Sequence, residues 1–283
     1  FVAESSHMTH ESNKVLSPDA AARRVLITGG AHRLGAVLCE VFAQAGWEVW
    51  CHYHRSAEAA LALCARLRAQ GWRAQAIQAD LHDQADRQRM VADITAQAGA
   101  LHALVNNASS FEPDAAADFD VAATRAQLEV NLVAPLALSA LVAQAAPAGE
   151  PTGSRCVIHV LDQKVHNLNP DYFSYTVTKL ALERAVALQA QALAPAVRVC
   201  GVAPGLMFLS GPQTQENFDH AGQVNLMRRP TDPAQVAQTC LFLAQNPCIT
   251  GVTLAVDNGQ HLVPLPRDVM FVVQDLLKAG DAS

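Results

Sequence analysis

A short apolar, β-branched run, Arg24-Val25-Leu26-Ile27, passes without a break into Thr28-Gly29-Gly30-Ala31-His32-Arg33-Leu34-Gly35 and then into a helical pattern stopped at Gly46. A strand feeding a glycine-rich turn that opens a helix constrains the fold more than any other stretch. It places backbone N–H groups at the positive end of a helix, where the glycines allow a phosphate to approach closely. Following a first strand, this is the outline of a dinucleotide site. Arg33 stands where a further glycine is expected, with a guanidinium able to reach phosphate or a substrate ring.

The alternation continues along the chain. Strands are expected at 48–53, 73–79, 101–105, 155–161, 197–202 and 252–256, and helices at 57–70, 83–97, 124–145, 171–193 and 232–245. Strand and helix in turn, with short connections, predict an α/β fold: a single-domain, Rossmann-like doubly wound parallel sheet of about seven strands with helices on both faces. Residues 206–230, rich in Gly, Pro, Gln and Asn, read as a substrate loop with some helix. Residues 263–283 read as a tail whose apolar cluster forms a terminal helix, either at a subunit interface or over a neighbouring site. Residues 1–20, which include Ser6-His7-Met8, read as a tag remnant and disordered N-terminus, leaving 21–283 as the domain.

The chain has 283 residues, 51% hydrophobic and 16% charged, which suits a folded domain with a sizeable core. A net charge of −6 argues against nucleic acid or an anionic membrane as partner. The most apolar stretch, 132–148, carries Pro135, Ser139 and Gln144 and is too short to span a bilayer. Seven scattered cysteines without a CxxC pair read as reduced thiols of a cytoplasmic protein. The eleven histidines show no ligand spacing, so no metal is expected.

The end of the second strand discriminates between cofactors. An acid there suits the ribose 2′-hydroxyl of NAD, and a base suits the 2′-phosphate of NADP. The residues are His54, Arg55 and Ser56, a planar cation and a hydroxyl with no acid, and the expected cofactor is NADPH. Asp80, ending the third strand, is placed to meet the adenine edge or to cap the next helix.

Tyr175 and Lys179 are four apart on a predicted helix and so share a face. An ammonium beside a phenol favours the phenolate. A shift of about 2 to 3 units, roughly 3 to 4 kcal/mol, would make Tyr175 a proton donor near neutral pH. Asp162 closes the apolar run before this helix.

Thr28-Gly29 to Gly35, Asp80, Asn106-Asn107-Ala108, Asn131, Tyr175-x-x-x-Lys179 and Pro204-Gly205, in this order over residues 24–262, resemble the short-chain dehydrogenase/reductase family. The resemblance implies Tyr175 as proton donor, Lys179 as its activator and ribose ligand, and Asn131 as support for a water relay by interrupting helix bonding. It implies cofactor contacts at Thr28, Gly29, Arg33, Leu34, Gly35, Asp80, Leu81, Asn107, Ala108, Ser109, Pro204 and Gly205. Asp162 departs from the pattern, since the family usually has a serine thirteen residues before the tyrosine. A carboxylate suits a substrate that presents amino or ring N–H groups.

Within the family the chain is similar to the pteridine and dihydromonapterin reductases. The similarity rests on Arg33, on His52 to Ser56, on Asn107 to Phe111, and on Asp162, Tyr175 and Lys179. It implies a pterin held by Arg33, Ser109, Phe111, Asp162 and Tyr175, hydride transfer to a C=N bond, and a homotetramer paired through the helices bearing Asn131 and Tyr175. Two alternatives stay open: an NADPH-dependent carbonyl or enoyl-thioester reductase, for which Tyr172 is the rival tyrosine, and a non-catalytic NADP-binding sensor.

Overall fold

Seven strands form one parallel sheet in the order β3-β2-β1-β4-β5-β6-β7. They are β1 (Arg24–Ile27), β2 (Glu48–Tyr53), β3 (Ala74–Gln78), β4 (Ala103–Asn106), β5 (Arg155–Val160), β6 (Val197–Pro204) and β7 (Thr253–Val256). The computed structural model describes residues 23–211 and 213–281, so the expected tag remnant and N-terminus lie outside the described residues.

Side chains of successive strand residues point to opposite faces, and both faces are covered. Val25 and Ile27 pack with Leu38 and Phe42 of α1 (Arg33–Gln44), Leu63 and Leu67 of α2 (Ala57–Ala69), and Val236 and Leu243 of α8 (Pro233–Gln245). Leu26 turns the other way, toward Met90 and Ile94 of α3 (Gln84–Ala98), Leu138 of α5 (Ala134–Gln144) and Ala190 of α6 (Phe173–Leu193). Burial on both faces explains why the central strands β1, β4 and β6 read as mainly apolar runs, whereas the edge strand β3 exposes Gln75 and Gln78. Asp83 and Asp232 cap α3 and α8 through their carboxylates.

The helix expected over 124–145 is not one regular helix; its bonding is interrupted at Asn131, as the resemblance implies. It begins as α4 (Val121–Leu128), widens into a π-helical segment at Glu129–Val133, and continues as α5. A π segment breaks the regular i→i−4 bonding and marks a functional position in many helices. As one run, Val121–Gln144 is long and apolar enough to cross a bilayer, so the expectation drawn from the shorter stretch 132–148 needs correction. Here the run lies on the sheet, with Ala134, Leu138 and Val142 fully buried and Gln127, Asn131 and Ser139 buried beside them.

The substrate loop contains α7 (Gln215–Ala221). The tail ends in α9 (Val269–Asp281), whose Val269 and Val273 pack on Ala221 of α7. The terminal helix expected of the tail is thus packed on the 206–230 segment of its own chain.

Candidate active site

Between β1 and β4 the strand order reverses, and crevices at such points bind ligands in open α/β sheets. Here the crevice is stitched by side chains. Thr28 Oγ1 accepts from the N–H groups of Asn107 (2.9 Å) and Ala108 (3.0 Å), and Asn107 Nδ2 donates to the carbonyls of Thr28 (2.9 Å) and Gly29 (3.1 Å). A Cβ on Gly35 would lie 2.0 Å from Gly29 O, so only glycine lets the turn close. Arg33 sits at the expected glycine position with φ +51°, a left-handed conformation that costs a non-glycine residue about 1 kcal/mol or more. Its guanidinium donates to Leu209 O (3.0 Å) and lies over the Phe208 ring, which ties the glycine-rich turn to the substrate loop.

His52, quoted in the sequence reading only as part of a longer motif, anchors this turn. Its Nδ1 accepts from Gly29 N–H (3.1 Å) while Nε2 donates to Ala79 O (3.1 Å), which fixes the neutral tautomer. Burial lowers its pKa to about 4.

A cavity of about 490 Å³ opens from this turn. It is lined by Gly29, Arg33, Leu34, Gly35, Asn107, Ala108 and Ser109 of the turn and crevice, and by Phe111, Asp162, Tyr175, Lys179, Pro204 and Gly205. Tyr175 OH donates to Asp162 Oδ2 (2.9 Å), and Asp162 Oδ1 accepts from Lys164 N–H (2.9 Å). Lys179 Nζ donates to Val160 O (2.9 Å) and lies 5.6 Å from the centre of the Tyr175 ring.

This geometry corrects the expected acidification of Tyr175. Burial pushes the phenol well above its ordinary pKa, and the Asp162 carboxylate on its oxygen pushes the same way. Lys179 is aimed at a carbonyl, and burial lowers its own pKa to about 8. Burial also raises Asp162 against the bonds and charges that favour its ionised form. The Tyr175 phenol therefore keeps its proton near neutral pH.

The remaining expected residues divide. Asn131 is buried, and its amide is consumed by the loop after β4: Oδ1 accepts from Ser110 N–H (2.7 Å) and Ser109 Oγ (3.2 Å), while Nδ2 donates to Ser110 O (2.8 Å) and Thr178 Oγ1 (3.1 Å). It fastens the loop that carries Ser109 and Phe111. Phe111 stacks on Tyr172 (4.1 Å between centroids) and meets Tyr175 edge-on (4.6 Å). His54, Arg55, Ser56, Asp80 and Leu81 end β2 and β3 outside the cavity lining. There His54 Nε2 is 3.5 Å from Asp80 Oδ2, and the Ser56 side chain makes no capping bond to α2.

Gln163 and Lys164 also line the cavity and were not singled out from the sequence. Gln163 is buried, and its Oε1 has no partner among the described residues. Lys164 is 3% exposed, and its Nζ reaches Asp268 Oδ2 (2.9 Å), far along the chain. No local pattern signals either contact.

The family model described as "Enoyl-(Acyl carrier protein) reductase" matches residues 29–261, well over half of the chain. The chain belongs to the short-chain dehydrogenase/reductase family. A pteridine reductase 1 from Leishmania tarentolae is 32% identical over 280 residues, spanning 84% of this chain and 96% of that protein. A dihydromonapterin reductase from Escherichia coli and a putative ketoacyl reductase of granaticin polyketide synthesis from Streptomyces violaceoruber are each 28% identical, over 84% of this chain and 96% of theirs. Among solved structures, a FolM alternative dihydrofolate reductase 1 from Brucella canis, complexed with NADP, aligns with TM-score 0.81 and 35% identity over 86% of this chain and 95% of that one. This short-chain dehydrogenase/reductase thus has pterin- and ketone-directed relatives at similar distance.

Proposed function

We propose that the protein is an NADPH-dependent reductase that delivers hydride to a C=N bond of a pterin of the dihydropterin or dihydrofolate type. The carrying observation is the Asp162–Tyr175 pair, 2.9 Å apart on the cavity wall beside Lys179. A ketone oxygen calls for hydrogen-bond donors. A carboxylate instead accepts from the amino and ring N–H groups of a flat heterocycle, and Phe111 offers such a ring an aromatic neighbour. Tyr172, the rival expected of an enoyl-thioester reductase, does not meet the carboxylate; its ring lies between Phe111 and Phe271.

The residues fit a dinucleotide. Gly35 and Gly29 leave the backbone open where a Cβ would obstruct it, and Asn107 and Thr28 hold the crevice in shape. Arg55 and Ser56 suit a 2′-phosphate, and Lys179 would hold the nicotinamide ribose. When bound, NADPH would supply the hydride. The chain's own residues manage the proton. Tyr175 gives its hydroxyl proton to the substrate nitrogen and is reprotonated from solvent through the Asp162 carboxylate to which it is hydrogen-bonded. The Lys179 charge favours the transient phenolate. The reduction consumes one hydride and one proton, so the balance closes. Exposed Val133, Val177 and Leu188, on the helices bearing Asn131 and Tyr175, support self-association of the kind expected of a tetramer.

Following NADPH or NADH oxidation with dihydropterin, dihydrofolate, ketoacyl and enoyl-thioester substrates side by side tests the reading. Turnover of the bicyclic heterocycles with NADPH supports it. Turnover confined to ketoacyl or enoyl substrates, or a preference for NADH, contradicts it.

A further inference from the structure

Lys164 is a buried cation that the proposed chemistry leaves unused. Its Nζ donates to Asn169 Oδ1 (2.8 Å) and Asp171 O (3.3 Å), pairs with Asp268 Oδ2 (2.9 Å) and faces the Tyr172 ring at 5.4 Å. The same contact is doubled by a reciprocal pair. Arg267 binds Asp171 through three N–O contacts of 2.8 to 3.0 Å, and Asp268 N–H donates to Asp171 Oδ2 (2.7 Å). Two ion pairs thus clamp residues 267–268 onto the loop between Asp162 and α6. The clamp brings Asp268, Val269 and Met270 to the cavity as one of its walls. Met270 packs against Tyr172 and Tyr175, and its carbonyl accepts from Asn217 of α7 (2.9 Å). At its other end Lys164 acts through its backbone, whose N–H holds Asp162 Oδ1.

We propose that Lys164 is a positioning residue, holding the C-terminal segment as a substrate-binding wall with its ammonium while its backbone N–H orients Asp162. This rests on the reductase reading of the cavity. The two duties are chemically separable. Lys164→Met keeps the N–H to Asp162 but leaves Asp268 without its buried counter-charge, so the wall is released while the proton-transfer pair stays in place. Removing one partner of a buried ion pair is disruptive, because the other charge is left uncompensated. A wall contacts the substrate in ground state and transition state alike, so its loss raises KM and spares kcat.

The experiment compares Lys164→Met, Lys164→Arg, Asp268→Asn and the double variant Lys164→Met/Asp268→Asn with the unmodified enzyme. It uses NADPH and whichever dihydropterin the unmodified enzyme turns over. Lys164→Met should raise the substrate KM about tenfold or more, with kcat within about threefold and NADPH affinity unchanged. Lys164→Arg should restore most of the loss, and the double variant should be no worse than Lys164→Met alone. Equal losses in kcat and in the fraction of protein that binds NADPH would mark general unfolding and overturn the proposal, as would an unchanged KM. Amide exchange at residues 268–273 gives an answer independent of turnover, and should quicken in Lys164→Met. If the unmodified enzyme turns over no pterin, the proposed function fails, and exchange alone decides the clamp; unchanged exchange overturns it.

Discussion

Replacing Lys179 with methionine removes an ammonium that the fold holds at an energetic disadvantage. Lys179 is buried, and burial lowers its pKa from 10.5 to about 8. At 1.36 kcal/mol per unit, that shift corresponds to roughly 3 kcal/mol of penalty on the charged form. Methionine also forfeits the hydrogen bond to Val160 O, worth about 1 kcal/mol. The net expectation at pH 7 is a variant more stable by about 2 kcal/mol. The sign depends on pH. Between about 8 and about 10.4 the unfolded chain keeps a proton on this lysine that the folded chain has released, so wild-type stability rises with pH. The penalty is fully present below about 8, and the variant's advantage shrinks above it. Urea unfolding of both proteins at pH 7 and pH 9.5, with NADPH oxidation assayed in parallel, measures this. The expected outcome is a gain in stability at pH 7, a smaller difference at pH 9.5, and activity lower by at least about 100-fold. A variant less stable at pH 7, or a difference independent of pH, would refute the view that Lys179 is kept charged for function at the expense of the fold.

Asp162→Asn preserves shape but can neither hold nor return a proton. It should lower kcat/KM for a dihydropterin by about 100-fold or more while leaving NADPH affinity unaltered, as read by steady-state kinetics and a fluorescence titration. Gly35→Ala would push a Cβ to 2.0 Å from Gly29 O. It should destabilise the protein by about 3 kcal/mol or more and abolish NADPH binding, which thermal unfolding with and without NADPH would reveal. His52 and His159 are buried, and burial lowers each pKa to about 4. The folded state therefore resists protonation that the unfolded state accepts, and stability should fall as pH drops from about 6.5 to about 4, by roughly 3 kcal/mol per histidine. Urea midpoints that match at pH 7 and pH 4.5 would contradict this.

The strands and helices were legible because each is set by local periodicity and punctuation. Gly46 and Gly71 stop helices, Asp232-Pro233 starts one, and the buried strands read as apolar runs. The Tyr175–Lys179 spacing was legible for the same reason, and its meeting with Asp162 follows from Asp162 lying just past the end of β5 and Tyr175 in the first turn of α6. What the spacing could not convey was direction. Lys179 turns to Val160 O, and the Asp162 carboxylate takes the phenol, so burial and the nearest charge set the pKa values. The π segment at Asn131 leaves the apolar pattern of its helix intact, so periodicity does not show it and only the family resemblance points to an interruption there. The Lys164–Asp268 and Arg267–Asp171 pairs join segments about a hundred residues apart, fixed only by the path of the tail.

Single-turnover NADPH oxidation by Tyr175→Phe, with a dihydropterin substrate and in parallel with the unmodified protein, bears most directly on the proposed chemistry. If Tyr175 hands its proton to the substrate, the variant should bind NADPH as before yet reduce the substrate about 100-fold or more slowly, at every pH tested. A variant that reduces the pterin at the unmodified rate would contradict the proton path through Tyr175 and Asp162.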